Sequence, residues 1–381
     1  MHTKTDQSRK RKICIFCQTW ESGGIESFLY TLLHHIDLSH VEIDIVVENL
    51  KESVFQSSLE QLDVTFYELS GSTRHIVSNY RRFAALMQRR KYDVLHLNVF
   101  QAQAMMYLPL AKHNQIPIRI VHSHNTALRD SRTQQLKLWI HYGASRIFSR
   151  YATDWWACSS AAARFMFPKQ IISQDLYCFV PNGIELKKFR FDLQVRKKIR
   201  EALGLNQCFV IGNVGRLCHQ KNQAFLLDFL PEIRKKIPES KLILVGTGDD
   251  LLKLRQRAND RELSDHVIFC GTCSHVEQLL WSMDVFAFPS RFEGLGIGLI
   301  EAQAAGLPAV CSDQIPPEAI VSSDTVCLPL CDRDAWIQTL VQLHGRHHFR
   351  DYGNSDLRKF DAAHVGRWVE EKYLQPIAKR D

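Results

Sequence analysis

The chain has 381 residues, 45% of them hydrophobic and 23% charged, with a formal net charge of +7. That length holds two domains of ordinary size, each with its own core, in a composition typical of soluble globular proteins. No apolar run approaches the ~20 residues of a membrane span, and the positive charge points to an anionic partner: a phosphate substrate, an acidic membrane surface or nucleic acid.

Eleven cysteines are spread along the chain, mostly in apolar runs such as 13–16 and 267–270. With no signal peptide, they read as buried thiols of a reducing cytosol and not as a disulfide framework. Cys14/Cys17 and Cys270/Cys273 have CxxC spacing. A strand points Cys14 and Cys17 to opposite faces, which argues against a shared zinc ion.

The basic start from Lys4 to Lys12 reads as a frayed terminus. Residues 13–16 form a strand, and a turn with Ser22, Gly23 and Gly24 follows. Ile25, Phe28, Leu29, Leu32, Leu33 and Ile36 fall on one face at helical spacing. A strand at 43–48 completes a βαβ unit, with both glycines where an open α/β sheet usually takes its ligand. Further strands at 64–69, 94–97, 118–122, 156–159 and 177–180, mostly with helices between them, predict a parallel sheet covered on both faces.

Pro181-Asn182-Gly183 ends that series in a sharp turn. The polar, basic stretch 185–200 is the expected boundary. The pattern restarts with strand 209–214, helix 222–236, strand 242–245, helix 250–259 and strand 267–270. Next come strand 284–289, a loop over 291–298 with three glycines, helix 299–305 ended by Gly306, and strand 309–312. A strand at 326–329, a helix from Arg333 and a closing helix over 364–377 finish the chain. Two successive α/β domains with a hinge put an active site in the cleft.

Residues 284–313 suit phosphate, because free amides and a helix dipole face the turn. Glu293 and Glu301 in the same unit suit a polyhydroxylated partner instead. The run VGTGDD at 245–250 begins like a dinucleotide fingerprint. Leu251 stands where its third glycine belongs, which argues against a nicotinamide cofactor but leaves close backbone approach to a nucleotide at Gly246 reasonable. In GNVGRLCHQKN, residues 212–222, Arg216 sits in a glycine turn and Lys221 at the next helix start. That is either a diphosphate clamp or a pair of solvated cations, and the glycine turn at a strand end favours the clamp.

Together with GGIE at 23–26, HSHN at 122–125 and PNGIE at 181–185, these motifs resemble the retaining glycosyltransferases of family 4. The stretch PSRFEGLGIGLIEAQAAGLPAVCSD is most similar to their EpsF-like exopolysaccharide and capsule branch. The resemblance implies the GT-B fold: two Rossmann-like parallel-sheet domains facing across a cleft. Residues 1–185 would be the acceptor-side domain, 186–360 the nucleotide-sugar domain and 361–381 a helix crossing back to the first. The implied activity is retaining transfer of a hexose-type sugar from a nucleotide donor, UDP-linked in this reading, to a glycan or a polyprenyl-diphosphate-linked sugar.

By the same resemblance, Arg216 and Lys221 hold the diphosphate and stabilise the leaving nucleotide. Glu301 bonds the ribose, and Glu293 bonds the donor sugar. Backbone amides around Gly294, Leu295, Gly296 and Ile297 reach the phosphate, and Gly23 and Gly24 leave room for it. His122 bonds the sugar near the reacting carbon, favoured over His124 because it directly follows strand 118–121. No DxD-type metal motif or nucleophile for a covalent route is evident, so no metal or cofactor is expected.

Arg74, Arg81, Arg82, Arg89, Arg90 and Lys91 crowd one helical region. Residues 128–151 add Arg129, Arg132, Lys137, Arg146 and Arg150 beside Leu136, Trp139, Ile140, Ile147 and Phe148. Such a helix either lies on an anionic membrane at the inner face of the cell or packs its apolar side on the sheet. Two alternatives remain: a GT-B-fold sugar-nucleotide epimerase, or a basic nucleic-acid- or membrane-binding protein without catalysis. No recognisable nucleic-acid module is evident.

Overall fold

The computed structural model describes residues 9–21, 23–51, 53, 55–128, 133–344, 350 and 355–376. Lys4, Ser22, Arg129, Arg132 and Ile377 lie outside them. The chain forms two compact units, Met1–Gly183 with Lys359–Asp381, and Ile184–Arg358.

The first unit is a parallel seven-stranded sheet, β1 (Arg11–Trp20), β2 (Val41–Leu50), β3 (Thr65–Glu68), β4 (Val94–Val99), β5 (Ile118–Ser123), β6 (Asp154–Ala157) and β7 (Tyr177–Phe179), in the order β3-β2-β1-β4-β5-β6-β7. β4 and β5 are buried along their whole length. Burial on both faces is why these strands read as near-continuous apolar runs. β6 starts and ends two residues earlier than expected. Ser159 leaves the strand because its hydroxyl accepts the amide of Ala162 and caps the helix Ser160–Met166.

Helix Gly24–Leu33 buries Ile25, Phe28, Leu29, Leu32 and Leu33 against this sheet. Val365, Val369 and Tyr373 of the helix Ala362–Leu374 join the same core. Gly366 makes that contact possible, since a Cβ there would stand 2.6 Å from the carbonyl oxygen of His35.

The second unit is a parallel six-stranded sheet of β8 (Phe209–Val214), β9 (Ser240–Val245), β10 (Val267–Gly271), β11 (Val285–Phe288), β12 (Ala309–Ser312) and β13 (Thr325–Leu328), in the order β10-β9-β8-β11-β12-β13. Phe209, Ile211, Leu226, Leu230, Trp336 and Leu340 are among its core residues. The basic stretch 185–200 is not simply a solvated linker. Asp192 caps the helix Leu193–Ala202, whose Arg196 and Arg200 both donate to Asp284 at the start of β11. The second Asp284 oxygen also accepts the amide of Val210, so these arginines fasten the helix to the amino-terminal ends of the two central strands, β8 and β11.

In each unit the strand order reverses once, between β1 and β4 and between β8 and β11. At such a switch point the two connections leave to opposite faces and open a crevice beyond the carboxyl ends of the strands. The turn at Gly23 and Gly24 lies at the first reversal, and the loops after β8 and β11 lie at the second.

Candidate active site

In the second unit, the loop after β8 and the loop after β11 are laced together. The amide of Arg291 donates to Gln220 O at 2.8 Å, and Gln220 Nε2 returns a bond to Phe292 O at 2.9 Å. Asn222 Nδ2 donates to Pro289 O at 3.2 Å, while Gln223 Nε2 reaches Arg216 O at 3.1 Å. This lacing brings Lys221 and Glu293 together, with Nζ 2.7 Å from Oε1. The same ammonium lies 4.8 Å from the centroid of the Phe288 ring. Glu293 is buried, and an ion pair so enclosed repays its desolvation only with good geometry and further partners.

Arg216 behaves differently. It is exposed and its guanidinium makes no hydrogen bond or ion pair among the described residues. One cation of the expected clamp is thus held against a carboxylate, and the other is unengaged.

Gly296 takes φ +99°, a left-handed conformation, and starts the helix Ile297–Ala304 two residues earlier than expected. A Cβ on Gly298 would come within 3.1 Å of Val214 O, so that helix approaches the end of β8 closely. The Leu299 amide turns back to Gly296 O at 3.0 Å, so it is the amides of Ile297 and Gly298 that have no partner within the helix and carry the positive end of its dipole. Leu295 is buried, so its side chain packs inward. Gly246 has a reason within the protein itself: a Cβ there would stand 2.2 Å from Gly215 O, so the glycine lets the loops after β8 and β9 touch. Gly248 plays the same part against Leu217 O at 2.4 Å.

Glu301 lies on the same helix. Burial pushes its carboxyl up to about 7, Lys188 and Lys221 pull it down, and Glu277 pushes it up again. Lys188 and Glu277 were not marked by any sequence motif. Glu277 is buried, 3.7 Å from Lys188 Nζ.

In the first unit, Gly23 is the extended N-cap of helix Gly24–Leu33, and a Cβ on Gly24 would meet nothing within 4 Å. Asn182 Nδ2 donates to Gly24 O at 3.4 Å. The expectation for His122 is corrected here. Its ring is fully buried, with Nε2 3.0 Å from Val180 O and Nδ1 3.3 Å from His96 Nε2. A carbonyl only accepts, so His122 carries its proton on Nε2 and accepts from His96 at Nδ1. His96 Nδ1 must then accept from Tyr373, at 2.6 Å. With both nitrogens used inside the unit, His122 has no atom for a sugar hydroxyl.

His124 is the histidine with a vacant position. Nε2 lies 2.9 Å from Asn98 Oδ1, whose amide nitrogen faces Phe16 O at 3.5 Å, so Nε2 donates. Nδ1 then makes no hydrogen bond among the described residues, and neither does the buried Oδ1 of Asn182, the side chain that acts on this ring. Burial holds His124 down to about 3, partly offset by Asn182, so its ring is neutral near pH 7. His96, Asn98 and Tyr373 escaped sequence reading. The only available signal was polar residues inside the buried strand VLHLNV.

Residues 22–188 match Glycosyltransferase Family 4, and residues 208–346 match Glycosyl transferases group 1. The Bacillus subtilis (strain 168) protein EpsF, named as a glycosyltransferase, is 27% identical over 315 residues, covering 81% of this chain and 80% of its own. An Escherichia coli UDP-Gal:alpha-D-GlcNAc-diphosphoundecaprenol alpha-1,3-galactosyltransferase is 26% identical over 282 residues, 71% of this chain and 70% of its own. Among solved structures, Anabaena Alr3699/HepE in complex with UDP and glucose superposes with a TM-score of 0.77 at 20% identity, covering 95% of this chain and 99% of that one. Nothing in these comparisons supports an epimerase. Two parallel-sheet units, the laced loops after β8 and β11 and both family matches lead to one assignment: the chain belongs to the family 4 glycosyltransferases, close to the EpsF-like branch, and is a transferase enzyme of the GT-B fold.

Proposed function

We propose that this enzyme moves a hexose-type sugar, with retention, from a UDP-linked donor to a glycan or a polyprenyl-diphosphate-linked glycan in bacterial exopolysaccharide or capsule assembly. The observation that carries this reading is the pairing of Lys221 with Glu293 beside the unengaged Arg216. A donor diphosphate offers both cations more negative charge than one carboxylate does, and a freed Glu293 can accept from sugar hydroxyls. First-turn amides at Ile297 add dipole attraction for phosphate, and Glu301 receives the ribose hydroxyls. Within the first unit, a Cβ on Gly24 would meet nothing within 4 Å, and His124 replaces His122 as the residue proposed to accept from a substrate hydroxyl.

Arginine and lysine together supply the charge that a divalent ion would otherwise contribute to the leaving nucleotide, so the reaction is proposed to run without metal or cofactor. The UDP preference is supported by the E. coli relative's named donor and by the nucleotide held in the Anabaena structure. The lipid-diphosphate acceptor is supported by the same E. coli name. A product assay with UDP-, GDP- and ADP-sugars tests both choices. Free UDP with a lengthened acceptor is expected, and turnover of a GDP-sugar alone would overturn the donor assignment.

Peripheral placement at the inner face of the cell membrane has its own support. No helix among the described residues is long and apolar enough to cross a membrane. Helix Gln134–Phe148 turns its small and polar side inward, through His141, Ala144 and Ser145. His141 bonds Ala102 N and Phe165 O, and Ser145 Oγ donates to Met166 O at 2.6 Å. Its apolar residues therefore face outward: Trp139 is 80% exposed and Leu136 62%, beside Lys137 and Arg146. Such a face suits an anionic bilayer surface. Arg90, by contrast, is spent on Asp44 and Glu42 and adds little to a membrane-facing field. Flotation with phosphatidylglycerol vesicles at low salt should carry the protein up, and Trp139→Glu should release it. A wild-type protein that stays at the bottom of the gradient contradicts the placement.

A further inference from the structure

Two cysteines of the second unit stand opposite each other on neighbouring parallel strands. Cys311 of β12 and Cys327 of β13 are register partners, and their Sγ atoms lie 3.2 Å apart. β13 is the edge of the sheet, so Cys327 is exposed while Cys311 is buried. Adjacent strands run about 4.8 Å apart, within the Cα separation that a disulfide spans, so side-chain torsion alone can join the sulfurs. The hydrogen bond also divides their chemistry. Donation from Cys311 holds the Cys327 thiol down to about 7, against burial and Asp313, which both raise it. The same bond, with burial, pushes Cys311 well above the ordinary thiol range, so it remains the protonated partner.

We propose that Cys311 and Cys327 form a dithiol oxidation site for hydroperoxides, with Cys327 as the attacking thiolate and Cys311 as the resolving thiol. In the first step Cys327 sulfur bonds to one peroxide oxygen and the O–O bond breaks. Cys327 becomes a sulfenic acid, and the departing hydroxide takes the proton that Cys327 had released, giving water. In the second step Cys311 sulfur attacks the sulfenic sulfur, the S–S bond forms and the S–O bond breaks. The leaving hydroxide takes the Cys311 proton as a second water. Two thiols supply two electrons, and one hydrogen peroxide becomes two waters.

The resulting staple fixes the edge strand to β12. That strand leads on to Ile315, whose Cγ2 lies 3.6 Å from where a Cβ on Gly296 would be, at the cap of helix Ile297–Ala304. The dithiol itself needs nothing from the glycosyltransferase reading.

The test treats the full chain with hydrogen peroxide at pH 7, blocks remaining thiols with N-ethylmaleimide and maps peptides by mass spectrometry. A linked Cys311–Cys327 pair that dithiothreitol reverses is expected. Cys327 should react about tenfold faster than the exposed Cys331, because about half of it is thiolate at pH 7 against a few per cent for an ordinary thiol. In Cys311→Ser the Cys327 sulfenic acid should persist and be trapped by dimedone. In Cys327→Ser, Cys311 should stay reduced. Linkage of Cys327 to another cysteine, or oxidation no faster than that of Cys331, overturns the proposal. The wild-type mapping decides this even if a variant fails to fold.

Discussion

If Glu301 receives the ribose hydroxyls, donor binding must depend on pH in a way that only this carboxylate dictates. Hydroxyls donate to the ionised form, whereas burial holds the free carboxyl up to about 7. Binding therefore has to remove a proton whenever the pH lies below that value. Between pH 7 and pH 5 the ionised fraction of such a group falls about 50-fold, so the dissociation constant for UDP-glucose should rise by about the same factor, provided the bound carboxylate titrates below pH 5. Above pH 8 the profile should be flat. Titration calorimetry with UDP-glucose from pH 5 to pH 8 reads this directly. A sugar-linked diphosphate is the right probe, because the terminal phosphate of free UDP would itself titrate near pH 6. Glu301→Gln should bind weakly and with little pH dependence. A wild-type profile without slope, or one whose slope survives in Glu301→Gln, refutes the assignment.

Three further outcomes concern the first unit. Tyr373→Phe leaves His96 Nδ1 buried without its donor and should cost about 1–3 kcal/mol in urea unfolding; unchanged stability would mean that the Tyr373–His96–His122 chain is not formed. His96, His122 and His124 are buried, with pKa values held below the usual histidine range mainly by that burial. Their contribution is full above the unfolded value and is lost as pH falls through about 6.5, so each should cost up to about 2 kcal/mol at pH 5; equal unfolding midpoints at pH 7 and pH 5 contradict this. Gly366→Ala should destabilise even though alanine favours helices by about 1 kcal/mol, since its Cβ meets the His35 carbonyl oxygen; a higher melting temperature would show that the closing helix is seated otherwise.

Much of the architecture was legible because parallel strands buried on both faces leave apolar runs, and glycine marks the turns between them. The GT-B class and the family followed from GRL…QKN, the two glutamates and the glycine loop taken in order. What escaped was pairing across long sequence separations. Nothing local says that Lys221 will meet Glu293, or that Tyr373 will donate to His96 and so take His122 out of reach of a substrate. Position at a strand end favoured His122, but the register places it beside Asn98 and Trp156, inside the sheet. For the helix Gln134–Phe148 the sequence left two readings open, an apolar side on a membrane or on the sheet. His141 and Ser145 took the inward positions with carbonyl and amide partners and left Trp139 in solvent, which no local pattern announces. Gly246 looked like a nucleotide contact, and its geometry is already required by Gly215.

The central claim is that the loop after β8 holds the donor diphosphate. Calorimetric titration of UDP-glucose into wild type, Arg216→Ala and Arg216→Lys at pH 8 tests it most directly. The Arg216 guanidinium has no partner among the described residues, so its removal should leave folding intact while weakening binding about 10- to 100-fold, the loss of a charge-assisted contact worth about 1.5–3 kcal/mol. Lysine should restore part of the affinity, because it keeps the charge and loses the fork. Equal affinity in all three proteins would contradict the clamp, and with it the account of how this enzyme holds its donor.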